Sequence, residues 1–454
     1  MTEISAVILA AGEGKRMKSK LSKVVHKVCG KEMINHCIDA SYAAGAEECC
    51  VVIGHAGDTV IEAVGEKASF VWQNERLGTG HAVMQAKERI ALCENVLVLT
   101  GDTPLITGDT LKSAIKCHIE NSNDATVITA VADNPFGYGR IVRKDGRVEK
   151  IVEQKDTSKQ QQEIKEINSG MYVFRSKELL QSLDKIKNDN AQGEYYLTDV
   201  LEILNSMGKK VGAFTAPDPN EILGVNDRVQ LAEAEKIMRR RINEKFMRAG
   251  VTIKDPDNTY ICADAIIGID TVIYPGAVIE GKCVIGENVY IGHECFLQNA
   301  VIGSFTDVNI STIIDSSVGE NTHVGPYAYI RPGCDVGSNC KVGDFVELKK
   351  AHIGDGTKLS HLTYVGDATV GKNVNFGCGT VVVNYDGKKK YQTVIKDNAF
   401  IGCNSNLVSP VTVNEGAYIA AGSTITDEVP ADALAIARAR QVVKTNWSDR
   451  RKKN

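Results

Sequence analysis

The stretch Val318–Leu348, VGENTHVGPYAYIRPGCDVGSNCKVGDFVEL, indicates the fold of the second half of the chain. An aliphatic residue recurs at every sixth position in it, and two other blocks repeat the pattern. Neither the helical period of 3.6 nor strand alternation explains a period of six, which is typical of hexapeptide repeats that coil into a parallel β-helix. The repeating positions are Val318, Val324, Ile330, Val336, Val342 and Leu348, then Ile267, Ile273, Ile279, Ile285, Ile291 and Leu297, then Ile395, Ile401, Leu407, Val413, Ile419 and Ile425.

The six-residue phase breaks near 300–315 and 350–394, and we expect loops to leave the coil at both places. The longer break contains Asn384-Tyr385-Asp386-Gly387-Lys388-Lys389-Lys390. An insertion on a rigid solenoid is a natural place for function. A β-helix can equally be a passive spacer or an assembly element, and the repeat alone does not exclude that.

The first half of the chain shows a different pattern, in which apolar runs alternate with helical stretches. Strands are predicted at 6–9, 50–53, 96–99 and 125–128, and helices near 33–44, 79–92 and 109–120. This alternation favours βαβ units around a mainly parallel, Rossmann-like sheet, whose ligands bind at the carboxyl ends of the strands. We therefore expect an α/β domain over 1–225, a linker helix over 226–250 and a β-helix domain over 251–454.

Composition narrows the classes of function. The chain has 454 residues and a formal net charge of −4, which argues against a general nucleic-acid binder. No apolar run approaches the ~20 residues of a membrane helix, and no signal peptide is visible. The thirteen cysteines show neither zinc spacing nor an even disulfide count, which suggests reduced core thiols and a cytoplasmic protein.

Two elements of the first half suggest phosphate chemistry. Leu9-Ala10-Ala11-Gly12-Glu13-Gly14-Lys15-Arg16-Met17 follows the first predicted strand, and its small residues allow backbone N–H groups close to a phosphate. It is neither a P-loop nor a dinucleotide fingerprint, and a plain tight turn remains an alternative. Asp102 ends a buried strand, where a carboxylate suits Mg²⁺ shared with substrate phosphates. The alternative is an Asp that caps the following helix.

Polar residues cluster where the six-residue period of the second half breaks. Basic side chains there suit a sugar phosphate, and a histidine suits proton transfer near neutral pH. Acetyl transfer to an amine needs such a proton acceptor. The cluster consists of Arg331, Lys349, His361, Tyr364, Asn375, Asn384 and Tyr385.

With these residues in view, the first half resembles the sugar-nucleotidyltransferase family. Nearly the whole chain, from Leu9 to about Trp447, is similar to the bifunctional members that add a hexapeptide-repeat acetyltransferase domain. The motifs that carry the resemblance are LAAGEGKRM, QNERLGTGHA, LTGD, GYGRI, IVEQKD, EINSG, GVNDR, HLTYVGD and VVVNYDG, in this order.

The resemblance implies a left-handed β-helix, a homotrimer and two reactions. In the first, glucosamine-1-phosphate is acetylated from acetyl-CoA. In the second, GlcNAc-1-phosphate takes a uridylyl group from UTP with Mg²⁺, which yields UDP-GlcNAc for peptidoglycan and lipopolysaccharide synthesis and releases pyrophosphate.

For uridylyl transfer, the resemblance implies a role for each matching residue. Leu9, Ala10, Ala11 and Gly12 line the uridine and phosphate site together with the LTGD residues Thr100 and Gly101. Gln73, Gly78 and Thr79 contact uracil, Arg16 and Lys23 engage phosphates, Gly139, Glu153 and Asn168 hold the sugar, and Asp102 and Asn226 bind Mg²⁺. Lys15 and Ser22 depart from the family pattern of Thr and Pro.

For acetyl transfer, the resemblance makes His361 the general base. Arg331, Lys349, Tyr364 and Asn375 bind glucosamine-1-phosphate, and Cys378, Asn384, Tyr385, Cys403, Ala421 and Arg438 contact acetyl-CoA. Cys378 and Cys403 stand where Ala and Ser are usual.

Three hypotheses stay open at this point: the two-activity enzyme, a nucleotidyltransferase of other specificity with a regulatory β-helix, and a non-enzymatic trimeric scaffold. The Asp102/Asn226 pair and the His361/Asn384/Tyr385 cluster favour the first.

Overall fold

The computed structural model describes residues 2–190 and 192–448. The chain forms two compact units, Met1–Met238 and Arg239–Asn454. In the described part of the chain, no helix combines the length and apolar character that a membrane crossing requires.

The first unit is built on a nine-stranded mixed sheet with a small two-stranded sheet beside it. Its strands are β1 Thr2–Ala10, β2 Lys27–Val28, β3 Lys31–Glu32, β4 Glu48–Ile53, β5 Ser69–Trp72, β6 Cys93–Thr100, β7 Ala125–Val131, β8 Arg140–Lys144, β9 Arg147–Val152, β10 Glu166–Arg175 and β11 Val211–Thr215. The helices are α1 Met33–Ala43, α2 Gly57–Val64, α3 Thr79–Gln85, α4 Lys87–Ile90, α5 Gly108–Glu120, α6 Ser176–Leu183, α7 Asp199–Ser206 and α8 Arg228–Arg248.

The main path of this sheet runs β11-β7-β10-β6-β1-β4-β5. Only β10 in this path is antiparallel to its neighbours, and two apolar clusters pack on the sheet. The carboxyl ends of β1 and β6 lie side by side, since Leu9 pairs with Thr100 and the Gly101 N–H donates to the Leu9 carbonyl at 2.9 Å. A parallel sheet places ligands at this edge.

The predicted α/β pattern is confirmed, with one local difference. Each of the four predicted strands lies within β1, β4, β6 or β7. The helix predicted over 79–92 is divided at Ala86, whose backbone (φ −95°, ψ 10°) lies outside the helical region.

The predicted linker helix is present as α8. Ala234 is buried, and Leu231 and Met238 pack beside it against an apolar cluster of the first unit. Ile242 and Phe246, on the same predicted face, are buried in the second unit. The division between the two units falls inside this helix, between Met238 and Arg239.

The second unit is a left-handed parallel β-helix of short strands, which confirms the predicted hexapeptide fold. One sheet forms one face: Thr252–Ile253, Val272–Ile273, Tyr290–Ile291, Asp307–Val308, His323–Val324, Lys341–Asp344, Lys358–His361, Asn375–Phe376, Phe400–Ile401, Tyr418–Ile419 and Leu434–Ala435.

A second sheet continues around the other two faces. Its strands are Tyr260–Ile261, Ile266–Ile267, Val278–Glu280, Val284–Ile285, Phe296–Gln298, Val301–Ile302, Thr312–Ile314, Ser317–Val318, Tyr329–Ile330, Asp335–Val336, Glu347–Ile353, Tyr364–Val370, Val381–Val383, Thr393–Ile395, Asn406–Val408, Val411–Val413 and Thr424–Ile425.

The expectation that loops leave the coil at both phase breaks is wrong for the first break. Strands continue through 300–315, where Ile302, Val308 and Ile313 stay buried. The phase slips because some corners there use one residue fewer, so successive inward residues lie five positions apart. Within 350–394 the coil also continues, except at the stretch 384–392 between two strands. The predicted insertion at Asn384 is therefore the one real excursion of the two breaks.

Candidate active sites

The first unit contains a cavity of about 720 Å³ at the carboxyl edge of its sheet. Ten residues predicted to bind nucleotide or metal line it: Leu9, Ala10, Ala11, Gly12, Lys23, Gln73, Gly78, Thr79, Thr100 and Asp102. Residues from the ends of β1 and β6 and from the start of α3 thus converge on one space.

A lysine side chain lies at the point where the two predicted metal ligands, Asp102 and Asn226, meet. The Lys23 ammonium forms an ion pair with the Asp102 carboxylate and donates to the Asn226 carboxamide oxygen at 3.1 Å. The Val225 N–H donates to the Asp102 carbonyl at 2.8 Å, which ties the segment before Asn226 to the end of the strand. Asp102 and Asn226 therefore offer two oxygens to one positive charge.

The alternative role of Asp102 as a helix cap is wrong. Thr107 caps α5, since its hydroxyl accepts from the Thr110 N–H at 3.2 Å. The Asp102 side chain is instead committed to Lys23.

Gly78 shows why the start of α3 requires a glycine. Its φ is +103°, and a Cβ there would lie 2.6 Å from the Tyr195 carbonyl oxygen. Both the left-handed backbone and the close approach exclude larger residues. The predicted uracil contact Gly78 thus lies where the segment 194–197 packs against the start of α3.

Arg16 is the predicted phosphate ligand that lies apart from this cavity. It is exposed on the short 3₁₀ helix Lys15–Met17 and does not belong to the cavity lining. Lys15 and Arg76 line the cavity, and both form ion pairs with Glu13. The sequence did not identify Arg76 and Glu13 as residues of this site, because no regular spacing connects positions 13 and 76.

The three predicted sugar ligands lie together. A Cβ on Gly139 would lie 3.5 Å from both the Glu153 carboxylate and the Asn168 Cβ, and the Asn168 N–H donates to the Gly139 carbonyl at 2.9 Å. The Asn168 carboxamide oxygen accepts from the buried Tyr172 hydroxyl at 3.2 Å. Burial raises the pKa of Glu153, and the Asp156 and Asp199 carboxylates add to this effect.

In the second unit, His361 has a partner that sequence analysis did not identify. Its Nδ1 lies 2.6 Å from the Asp344 carboxylate. The hydrogen bond from His361 lowers the pKa of Asp344, so this carboxylate is ionised at neutral pH. The spacing of one coil, 17 residues, carried the signal, because residues one coil apart stack in register.

Four of the predicted sugar-phosphate and acetyl-CoA residues meet on one face of the β-helix. Lys349 and the Asn384 carboxamide both contact the Asp367 carboxylate. Arg331, in register one coil from Lys349, pairs with Glu347 at 2.8 Å. Tyr364 lies in the next strand, and a Cβ on Gly366 would collide with its hydroxyl group.

Lys390 joins this group from the insertion. The Lys349 ammonium lies close to Lys390 and carries a like charge, which lowers the pKa of Lys390. Asp367 and Lys390 were both missed from the sequence. The position of Asp367, one coil before Asn384, was the available signal for the first.

The remaining predicted acetyl-CoA residues stack along the corner that contains His361. The Asn404 N–H donates to the Cys378 carbonyl at 2.8 Å, and the Gly422 N–H donates to the Cys403 carbonyl at 2.8 Å. Ala421 and Arg438 follow in the next two coils, with a Cβ on Gly422 only 3.7 Å from the Arg438 Cδ. Cys403 is exposed and Cys378 is half-buried.

Two predicted acetyltransferase residues, Asn375 and Tyr385, belong neither to the face around Asp367 nor to the corner that contains His361. Asn375 belongs to the other sheet of the β-helix, in register with Lys358. The exposed Tyr385 hydroxyl donates to the Gly387 carbonyl within the insertion at 2.7 Å. One chain therefore presents its candidate residues on an open face, one corner and a loop.

Comparison with known proteins agrees with the division into two halves. A "Nucleotidyl transferase" family model matches residues 5–219. A "Bacterial transferase hexapeptide (six repeats)" model matches 264–299, 315–350 and 392–427.

Three similar curated proteins are each named "Bifunctional protein GlmU". That of Clostridioides difficile is 56% identical over 98% of this chain and 97% of its own length. That of Acetivibrio thermocellus is 57% identical over 98% and 97%, and that of Caldanaerobacter subterraneus is 55% identical over 99% of both chains.

Proposed function

The chain belongs to the family of bifunctional GlmU proteins, and from that premise we propose two reactions for it. The β-helix unit transfers an acetyl group from acetyl-CoA to glucosamine-1-phosphate. The α/β unit then transfers a uridylyl group from UTP to GlcNAc-1-phosphate, with release of pyrophosphate and formation of UDP-GlcNAc. The observation that carries the proposal is that each unit gathers a reactive set of its own, Lys23/Asp102/Asn226 and His361/Asp344.

In uridylyl transfer, the main obstacle is the mutual repulsion of two phosphorylated substrates. The phosphate oxygen of GlcNAc-1-phosphate attacks the α-phosphorus of UTP, and the bond to pyrophosphate breaks. Lys23, at the cavity wall, and Arg16, on the adjacent 3₁₀ helix, bind phosphate oxygens and offset their charge. No protein nucleophile is needed.

Asp102 and Asn226 would hold Mg²⁺ in this unit. Their two oxygens already share the Lys23 ammonium, a donor set that fits a small, hard cation. When bound, Mg²⁺ supplies positive charge against the phosphates. The residues of the chain do the positioning: Gln73, Gly78 and Thr79 hold uracil, and Gly139, Glu153 and Asn168 hold the sugar.

In acetyl transfer, His361 takes a proton from the sugar amine. Its Nδ1–H donates to the ionised Asp344, which leaves Nε2 as the free acceptor. The amine nitrogen forms the bond to the acetyl carbon, and the bond to the sulfur of CoA breaks. Arg331, Lys349, Tyr364 and Asn375 bind the sugar phosphate, while Asn384, Tyr385, Ala421, Arg438 and the Cys378 and Cys403 backbones contact acetyl-CoA.

We further propose that the acetyltransferase site is completed in a homotrimer. Asn375 lies in one sheet of the β-helix, and Arg331 directly follows the strand Tyr329–Ile330 of the other, so one chain does not surround a substrate with both. Packing three prisms along their faces would bring such residues together. The thirteen free thiols suit a reducing cytoplasm, which we propose as the location.

Product analysis tests the proposed function. The purified chain is incubated with UTP, acetyl-CoA, glucosamine-1-phosphate and Mg²⁺, and we expect UDP-GlcNAc, free CoA and pyrophosphate. Omission of acetyl-CoA should abolish UDP-GlcNAc, and GlcNAc-1-phosphate should restore it. Formation of a different nucleotide sugar, or of no CoA, contradicts the proposal.

A further inference from the structure

We propose that the α/β unit has a second small-molecule site, which binds a phosphate ester that also carries hydroxyl groups, as sugar phosphates and nucleotides do. The site is a cavity of about 530 Å³ that includes Val211, the first residue of β11. β7 and β11 run in the same direction as β6 and β1. The cavity therefore lies at the amino ends of the strands, on the opposite edge of the sheet from the nucleotide cavity.

The lining of this cavity is strongly basic. It comes from the end of α5, the β8–β9 hairpin, the loop after α7 and the start of β11. Four lining side chains are cationic and three are carboxamides, and none of the lining residues that the structure describes is Asp or Glu. The cations are Arg143, Arg147, Lys209 and Lys210, and the carboxamides are Asn121, Asn123 and Asn205.

Two of the four cations are already neutralised by carboxylates outside the lining. The Arg143 guanidinium pairs with Glu166 through two hydrogen bonds, at 2.7 and 2.6 Å. The Lys209 ammonium pairs with Glu178 at 3.3 Å. These two side chains shape the cavity but add little net charge to it.

The other two cations, Lys210 and Arg147, carry uncompensated charge. The Lys210 ammonium donates to the Asn121 carbonyl at 2.5 Å, whereas the Asp124 carboxylate accepts from the Lys210 main-chain N–H at 2.8 Å. Neither Lys210 nor Arg147 forms an ion pair within the described part of the chain. Two ammonium hydrogens of Lys210 and the five N–H groups of Arg147 are thus available to an anion.

The nucleotide cavity shows how unusual this charge balance is. Its lining sets three cations against three carboxylates: Lys15, Lys23 and Arg76 against Glu13, Asp102 and Glu194. The second cavity has no such balance in its own lining. Lysine and arginine side chains without carboxylate partners form strong, charge-assisted hydrogen bonds to phosphate oxygens, so a ligand with two negative charges fits them.

The uncharged part of the lining suits hydroxyl groups. The Asn123 amide donates to the Thr126 hydroxyl at 2.9 Å, and the Asn205 amide donates to the Val148 and Glu149 carbonyls at 3.0 and 2.8 Å. The Oδ1 atoms of Asn123 and Asn205 accept no hydrogen bond within the described residues, which leaves them for ligand hydroxyls. A volume of about 530 Å³ lies within the usual range for small-molecule sites.

The test measures binding of fructose-1,6-bisphosphate, a doubly phosphorylated sugar, to the full-length chain by titration calorimetry at low ionic strength. Arg147→Gln/Lys210→Gln removes the uncompensated charges, and we expect the dissociation constant to rise about tenfold or more, since hydrogen bonds to phosphate are lost. Lys112→Gln/Lys187→Gln is the matched control. It removes two exposed lysines outside the lining and should change the constant by less than about twofold.

Cys117 reports where the probe binds. Its thiol is half-buried and lines the cavity. A probe concentration of about ten times the dissociation constant should slow its alkylation about tenfold, because only the unoccupied cavity exposes the thiol. Alkylation of the exposed Cys403 in the other unit should not change. Peptide mass spectrometry measures both rates.

Four results would each overturn the proposal: no binding by the wild-type chain, equal weakening in the two double variants, loss of binding in Lys23→Gln, which would place the probe in the nucleotide cavity, or unprotected Cys117. UDP-GlcNAc formation by Arg147→Gln/Lys210→Gln without the probe should equal that of the wild type, which shows that the variant folds. If it does not fold, Arg147→Gln alone replaces it, since Arg147 is exposed. Binding is measured without turnover, so its outcome is independent of the proposed function.

Discussion

The two candidate sites of this chain differ in how they are enclosed. The α/β unit surrounds its site with one chain, as a cavity of about 720 Å³ where two parallel strands end. The β-helix presents its site on the outside, where the His361 side chain is 53% exposed. The interior of the prism is filled by aliphatic residues such as Ile330, Leu348 and Val365, so a solenoid can offer only faces, corners and loops.

Enclosure sets the electrostatics of each site. In the α/β unit, burial raises the pKa of Glu153 and brings the pKa of Asp199 to about 6. On the β-helix, the half-buried carboxylates Asp344 and Asp355 have lowered pKa values because hydrogen-bond donors face them. The first site works by desolvation, and the second works by pairing charges in contact with water.

We expect the largest effect from substitution of the proposed general base, His361, which should impair one activity and spare the other. His361→Ala should lower acetyl transfer by about 10²–10⁴-fold, the usual contribution of a positioned base, and leave uridylyl transfer unchanged. His352→Ala is a matched control, because His352 is also exposed and pairs with Asp335 at 3.0 Å. Both rates are measured on each variant with separate substrates. Equal loss in the two variants would remove His361 from the mechanism.

The reciprocal prediction concerns Asp102. Asp102→Ala removes the carboxylate that pairs with Lys23, and we expect uridylyl transfer to fall about 10²–10³-fold, as on loss of a charge-stabilising group. Acetyl transfer should be unaffected, and so should uridylyl transfer in the exposed variant Asp109→Ala. Turnover of Asp102→Ala near the wild-type rate at saturating Mg²⁺ contradicts the assignment.

Thiol chemistry offers a smaller test of the open site. Cys403 is exposed and Cys378 is half-buried on the corner proposed for acetyl-CoA. Alkylation should lower acetyl transfer about tenfold and spare uridylyl transfer, since an exposed thiol reacts readily and a bulky adduct would obstruct the cofactor. Bound acetyl-CoA should protect.

Cys117 is the remaining half-buried thiol, and it lies in the α/β unit, so it provides an internal comparison. The double variant Cys378→Ala/Cys403→Ser should resist the reagent. If both activities fall together, or acetyl-CoA gives no protection, the thiols do not lie beside the thioester.

Periodicity predicted what repeats locally, whereas residues that the fold brings together from distant positions were predicted only through the family resemblance or not at all. The six-residue period predicts inward positions such as Ile330 and Leu348, because every side of the prism needs an aliphatic residue that points into the interior. The Asp344–His361 pair was predictable in principle, since 17 residues make one coil there. The contact of Lys23 with Asp102 and Asn226 spans 79 and 203 residues. Only the sheet order determines such a contact, so no spacing rule could have identified it.

The last prediction concerns the cost of enclosure in the α/β unit. Burial, reinforced by Glu202, raises the pKa of Asp199 from 3.8 to about 6. The folded state therefore binds a proton more tightly than the unfolded state between these pH values. The stability that this proton contributes is fully present below pH 3.8 and is lost as pH rises through about 6. Linkage alone gives about 3 kcal/mol, and partial exposure reduces this to about 1 kcal/mol.

Asp199→Asn should therefore stabilise the protein at pH 8 by about 1 kcal/mol and have little effect near pH 4, as measured by denaturant unfolding of the α/β unit. Asp199 begins α7, so the substitution also removes a carboxylate that favours a helix N-terminus. Asp109→Asn controls for this loss, because Asp109 is exposed in the first turn of α5. If the two variants are destabilised equally at pH 8, desolvation of Asp199 carries no cost and the contrast between the enclosed and open sites is weaker than the pKa values indicate.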